Sequence, residues 1–198
     1  VTPLEGITAK VSNGTMVRFN KGVDLTHGND RMEWSSSLAG SSDVTIAVMG
    51  ISALIEGEEG AAISSDANGD RNTISLPKNQ IEYLRKLRKS AGDKPIVLVI
   101  KSGSAIELTE ISKYVDAIIY AWYLGEQGGN AIADIIFGDV NPSGKLPITI
   151  PESLSHLPDY SDYNMDNRTY KFTNHKPMYP FGFGLSYSSF DYSDLSLK

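Results

Sequence analysis

Three short apolar runs constrain the fold of this chain more than any other feature: Val44-Thr-Ile-Ala-Val-Met-Gly50, Pro95-Ile-Val-Leu-Val-Ile100 and Ala117-Ile-Ile-Tyr-Ala-Trp-Tyr123. Each reads as an inner strand of a parallel sheet, because a strand covered on both faces is continuously apolar where a half-wet one alternates. Helical patterns lie between and after the runs. Ile81, Leu84 and Leu87 form one stripe of a helix over residues 77–90, with Ser75 as its cap, Pro77 in its first turn and Gly92 as its stop. Lys86, Arg88 and Lys89 fall near the negative end of that helix dipole. A second helix is predicted over residues 129–137, with Ile132, Ile135 and Ile136 on one side and Gly138 ending it. Strands alternating with helices imply a layered α/β sandwich: a mostly parallel central sheet with helices on both faces.

The rest of the chain is read less directly. Residues 4–11 form a short helical stretch, residues 16–22 alternate as an edge strand, and a helix is expected over about residues 30–38. A short helix is expected over residues 106–113 and a strand over residues 145–150, after the turn Asn141-Pro-Ser-Gly144. Residues 151–198 then form an irregular, aromatic-rich tail, expected to fold back as a clasp. The expected organisation is therefore one domain over residues 1–198, with its α/β core in residues 1–150.

Composition excludes several function classes. At 198 residues, 40% apolar and 21% charged, the chain is long enough to bury a full core. A net charge of -6 argues against a nucleic-acid partner, which calls for a basic face. No apolar run approaches the roughly 20 residues needed to span a bilayer, so no membrane is expected. The N-terminus lacks the regions of a signal peptide. With no Cys, redox compartment stays open. His27, His156 and His175 have no paired spacing, and no Gly-x-Gly-x-x-Gly follows a strand, so neither a metal nor a dinucleotide cofactor is predicted.

The chemistry-bearing candidates follow the first apolar run. Leu54-Ile-Glu-Gly-Glu-Glu-Gly60 sets three carboxylates just beyond the carboxyl end of a strand, where ligands of open α/β sheets collect. A proton donor among Glu56, Glu58 and Glu59 needs burial or a close second carboxylate. Asp70-Arg71 could touch polar groups of a ligand or tie a loop down, the latter being the commoner use of such a pair. Trp122 and Tyr123, at another strand's carboxyl end, could stack on a ligand or pack against a neighbouring domain. Gly128-Gly129 reads as a tight strand-to-helix turn.

Four motifs in order then give a resemblance covering nearly the whole chain. Gly-Asp-Arg at 69–71 is followed by Leu-Pro at 76–77, and Ala-Trp-Tyr at 121–123 by Glu-Gln-Gly-Gly-Asn-Ala at 126–131. Phe-Gly-Asp-Val-Asn-Pro-Ser-Gly-Lys-Leu-Pro occupies 137–147, and Tyr-Pro-Phe-Gly-Phe-Gly-Leu-Ser-Tyr 179–187. Together they resemble the C-terminal α/β sandwich domain of glycoside hydrolase family 3, the β-glucosidase and β-xylosidase type. The resemblance implies a domain that lends a Glu as general acid/base to a retaining site shared with an N-terminal barrel domain carrying the nucleophilic Asp. It also implies a glycoside or oligosaccharide substrate, a following β-sandwich domain, and a periplasmic or secreted location.

No Ser-Asp-Trp, the usual nucleophile motif of such barrels, occurs here. Ser161-Asp-Tyr163 comes nearest but lies in the tail and reads as structural. The acid/base loop is also longer than the family's short form, with ten residues between Glu59 and Asp70. Alignment on the strand end Met49-Gly50 makes Glu56 the first candidate for the acid/base, with Glu58 and Glu59 as alternatives. The competing reading is a carbohydrate-binding or scaffolding relative that has lost the chemistry through this altered loop.

Overall fold

A computed structural model describes residues 1–27, 32–57 and 69–197. Three strands form its sheet: β1 (Thr45–Gly50), β2 (Ile96–Lys101) and β3 (Ala117–Tyr120), in the order β1-β2-β3. Both pairings are parallel, with Thr45 opposite Ile96 and Val97 opposite Ala117. The α-helices among the described residues are α1 (Pro3–Lys10), α2 (Met32–Ser37), α3 (Ala53–Glu56), α4 (Lys78–Ala91), α5 (Gly128–Phe137) and α6 (Thr169–Phe172).

The alternation of side chains along the central strand explains why helices cover both faces. Ile96, Leu98 and Ile100 of β2 pack with Ala47 and Met49 of β1 and with Leu84 and Leu87 of α4. Val99, pointing the other way, packs with Ala121 and with Ile132 of α5. Helix α1 lies against α5 at backbone contact: a Cβ on Gly6 would meet the Gly129 carbonyl oxygen at 2.3 Å, and one on Gly129 would meet the Thr2 carbonyl oxygen at 2.0 Å. The Gly128-Gly129 turn thus serves close helix packing.

Local signals account for the helix ends. A capping box closes α1, where Thr2 accepts from the Glu5 N–H and Glu5 accepts from the Thr2 N–H. Helix α4 ends at Gly92 with φ 60°, and Arg88 braces the turn beyond it by donating to Gly92 O and Lys94 O. The expected Ser75 cap is absent: Pro77 holds the N-cap position, and the Ser75 hydroxyl donates to Glu107 instead.

Several expected elements differ. No strand forms over residues 16–22, where Met16 and Phe19 are exposed and no described strand pairs with the segment; alternation alone cannot make an edge strand without a neighbour to bond. The helix over residues 106–113 is replaced by a non-helical stretch followed by a 3₁₀ turn at Ile111–Tyr114. There Ile106 and Leu108 are both buried, while the Glu107 N–H between them donates to Ile74 O. Residues 145–150 make only one antiparallel bridge, Ile150 with Tyr179. That bridge belongs to the clasp: Leu146 and Ile150 exchange backbone bonds with residues 179–183, and a Cβ on Gly184 would meet the Gly144 carbonyl oxygen at 2.2 Å.

Candidate active site

The carboxyl ends of all three strands converge on one carboxylate. Beyond β1 the chain turns through Ile51 and Ser52 into the single turn α3, whose last residue is Glu56. Gly50 allows this exit. Its φ is 147°, and a Cβ there would overlap the Lys101 carbonyl oxygen at 1.8 Å. The Gln80 side chain, buried on α4, bonds both backbone groups of Gly50, accepting from its N–H at 3.0 Å and donating to its carbonyl at 2.7 Å.

From β2, the turn after Lys101 brings Gly103 and Ser104 to Glu56. Oε1 accepts from the Gly103 N–H at 3.1 Å and from the Ser104 hydroxyl at 2.6 Å. The turn is itself braced, since the Ser104 carbonyl accepts from the buried Ser102 hydroxyl at 2.6 Å and from the Tyr120 hydroxyl at 2.7 Å. Gly103 is the residue that fits: a Cβ would lie 2.8 Å from the Tyr123 ring and 3.0 Å from Glu56 Oε2.

From β3, Tyr123 donates its hydroxyl to Glu56 Oε2 at 2.5 Å. Burial raises the Tyr123 phenol well above its ordinary range, and the carboxylate beside it raises it further. Strand β3 is shorter than the apolar run suggests. The Ala121 N–H still bonds Ile100 O, but Trp122 then adopts φ 57°, which turns the chain out of extended geometry. The Trp122 ring packs against Tyr120 at 4.6 Å between centroids.

Arg71 completes the cluster. Its guanidinium donates to Ala105 O at 3.3 Å and senses the charge of Glu56, although no ion pair closer than 4 Å forms between them among the described residues. One guanidinium nitrogen is buried without a hydrogen-bond partner. Burial lowers the Arg71 pKa, against the opposing charges of Glu56, Tyr120 and Tyr123. Asp70 is exposed. Glu58 and Glu59 lie outside the described residues.

Glu56 and Arg71 are thus gathered at one end of the sheet, and Trp122 packs on Tyr120 beside them. Gly103, Ser104 and Gln80 were missed. The one available signal was Gln80, a polar side chain within the apolar stripe of α4. In the tail, Asp162 of Ser161-Asp-Tyr163 accepts from the Asn164 N–H, a local turn contact. His156 and His175, unpaired by spacing, stack at 4.4 Å, and no group of three metal-ligating side chains occurs among the described residues.

Comparison with known proteins identifies the family. The glycosyl hydrolase family 3 C-terminal domain model matches residues 1–187. A xylan 1,4-beta-xylosidase of Xylanibacter ruminicola is 45% identical over 150 residues, covering 75% of this chain and 17% of the relative. The periplasmic beta-glucosidase of Salmonella typhimurium is 33% identical over 231 residues, covering all of this chain and 29% of the relative. The crystal structure of the beta-D-glucoside glucohydrolase from Trichoderma reesei superposes with a TM-score of 0.79 at 29% identity, covering 99% of this chain and 28% of that one. The chain therefore spans under a third of the length of these relatives.

Proposed function

This chain belongs to the C-terminal domain family of glycosyl hydrolase family 3, and from that premise we propose that it is the second domain of a retaining β-glycosidase of β-glucosidase or β-xylosidase type. It contributes a general acid/base glutamate from residues 56–59 to a site shared with an N-terminal barrel domain. The observation that carries this reading is the convergence of three strand ends on Glu56, at the end of an α/β sheet where ligands bind.

In such a reaction a carboxylate of the barrel attacks the anomeric carbon, while the glutamate of this domain protonates the departing glycosidic oxygen. The same glutamate then takes a proton from the water that releases the sugar from the covalent intermediate. The two carboxyl groups stand about 5–5.5 Å apart in retaining enzymes, so the barrel must dock against this end of the sheet. Leu54, Tyr123 and Leu124 expose apolar and aromatic surface there, which suits an interdomain contact. The substrate is a β-glycoside or oligosaccharide, a β-sandwich domain follows the clasp, and the location is periplasmic or secreted, as the name of the Salmonella relative suggests.

The test uses the full-length protein with Glu56, Glu58 and Glu59 all replaced by Gln. Turnover of alkyl β-glycosides should fall about 10²- to 10⁴-fold, with a smaller loss for dinitrophenyl glycosides, whose leaving group needs no proton. With the dinitrophenyl glycosides, azide should restore turnover and yield a β-glycosyl azide, because it attacks the covalent intermediate without needing a general base. An alkyl-glycoside rate within about threefold of the parent, far short of the loss of a general acid, would instead favour a binding or scaffolding domain.

A further inference from the structure

Resting on that proposed glycosidase reading, we infer that Glu56 gives and takes its proton through Oε2, and that Tyr123 is the positioning residue for this step. Its hydroxyl holds one side of Oε2 and leaves the other to the glycosidic oxygen.

The two carboxylate oxygens are not equivalent. A carboxylate offers about four acceptor positions, two on each oxygen. Oε1 has both of its positions filled, by the Gly103 N–H at 3.1 Å and the Ser104 hydroxyl at 2.6 Å. Among the described residues, Oε2 accepts only from Tyr123, at 2.5 Å. Arg71, the cation that senses Glu56, donates to Ala105 O instead and closes no position on the carboxylate. The open position therefore lies on Oε2. A general acid must bring such a position within about 2.6–3.2 Å of the glycosidic oxygen, and here that needs no existing bond to break.

The fold seats the Tyr123 ring for this task. A Cβ on Gly103 would lie 2.8 Å from the ring, so the ring rests against the turn whose N–H and hydroxyl hold Oε1. Tyr120 braces that turn, its hydroxyl donating to Ser104 O at 2.7 Å. The end of β3 thus supplies both the donor on Oε2 and the brace behind the donors on Oε1. Burial, then the bond to Glu56, raises the Tyr123 phenol well above its ordinary range, so Tyr123 remains a donor and does not compete as the acid.

The Tyr123 bond gains strength as the proton leaves. In the first step the O–H bond at Oε2 breaks and the proton passes to the glycosidic oxygen. The electron pair of the breaking C1–O bond goes to that oxygen, while the barrel carboxylate bonds C1. Negative charge then grows on Glu56, and the Tyr123 hydrogen bond changes from one with a neutral acid to a charge-assisted one, roughly twice as strong. A donor that tightens only as charge develops stabilises the transition state over the ground state. In the second step Oε2 takes a proton from the attacking water at the same open position.

Tyr123→Phe in the full-length enzyme keeps the ring and removes only the donor. The kcat/KM of a methyl β-glycoside should fall on the order of 10-fold, as expected for losing one bond that strengthens with charge. A dinitrophenyl β-glycoside, whose leaving group needs no proton, should stay within about threefold of the parent. In a Glu56→Gln background, Tyr123→Phe should add no further leaving-group dependence, because no charge develops on the amide. A crystal structure of the full-length enzyme with an unhydrolysed β-thioglycoside should place the linking sulfur against the Glu56 oxygen that Tyr123 bonds.

Equal losses of Tyr123→Phe on the two substrates would overturn the inference, since the hydroxyl would then serve packing or sugar contact; parental rates on both overturn it too. So does a leaving-group dependence that Tyr123→Phe adds in the Glu56→Gln background. Should Tyr123→Phe fail to fold, the thioglycoside complex decides: sulfur facing the oxygen held by Gly103 and Ser104 overturns the inference. Failure of the underlying reading looks different. There Glu56→Gln itself shows no leaving-group dependence and the sulfur meets neither oxygen, and the inference falls with the reading.

Discussion

The side-chain amide of Gln80 stands in for a strand partner at Gly50, accepting from its N–H and donating to its carbonyl from the neighbouring helix. Gly50 is the last residue of β1, and the chain leaves it for Glu56. The same amide also donates to Leu25 O, so one buried side chain holds the strand end and an upstream loop together. Replacing Gln80 by Leu keeps the volume and the apolar stripe of α4 but strands both backbone groups of Gly50. Each buried group left unsatisfied costs about 1–3 kcal/mol, so for the two a loss of roughly 2–6 kcal/mol is expected. Urea unfolding should show a lower midpoint with an unchanged slope.

How much of this was legible in the sequence depended on the range of the interactions. The three strands and helix α4 were readable because burial on one or two faces leaves a period in the residues themselves. Glu56 was placed correctly beyond a strand end for the same reason. Its hydrogen-bond donors were not, since Gly103, Ser104 and Tyr123 reach it from two other strands and no local pattern encodes that meeting. The missed elements have the opposite cause. Residues 16–22 alternate like a strand, but a strand exists only with a neighbour, and Ile106 and Leu108 bury two residues apart where a helix spacing was read. Trp122 shortens β3 through a backbone angle that its residue type does not announce.

Gly103→Ala tests the packing of the site directly. The added Cβ would sit 2.8 Å from the Tyr123 ring and 3.0 Å from a Glu56 oxygen, so the ring, the carboxylate or both must move. If this end of the sheet is the proposed site, a shift of several tenths of an ångström there is expected to lower kcat/KM of the full-length protein on the order of 10- to 10²-fold. Because Gly103 is exposed at the sheet end and not in the core, the far-ultraviolet circular dichroism spectrum should stay that of the parent. An alanine variant with parental kinetics would show that Tyr123 and Glu56 need not hold this arrangement.

Asp116 gives the acid dependence of stability a specific contributor. Its carboxylate accepts from the Ile96 N–H at 2.7 Å and from Arg88, joining α4 to the start of β2. The backbone hydrogen bond, then Arg88, lowers its pKa below the ordinary aspartate value. A depressed folded-state pKa stabilises the fold above the unfolded value of about 3.9 and loses that stabilisation as pH falls through the folded value. Asp116→Asn should therefore be less stable than the parent near neutrality, with the difference shrinking below about pH 4. Urea midpoints measured across that interval check the sign, and a gap that widens on acidification would contradict it.

Trp122 separates backbone strain from side-chain function. Its φ of 57° lies in the left-handed region, where a bulky residue is uncommon and costs on the order of 1 kcal/mol, yet the ring it carries packs on Tyr120 beside Tyr123. Trp122→Gly removes both the ring and the strain; Trp122→Ala removes the ring and keeps the strain. The glycine variant should accordingly be more stable than the alanine variant by a few tenths to about 1 kcal/mol, reversing the usual order of these residues. If the ring also meets the sugar, both variants raise KM for β-glycosides in the full-length enzyme by a similar factor, while Trp122→Phe restores part of the loss. Equal stability of the two small variants would mean that the backbone relaxes once the indole is gone, so that the ring's packing on Tyr120, and not the chain on either side of it, imposes the turn.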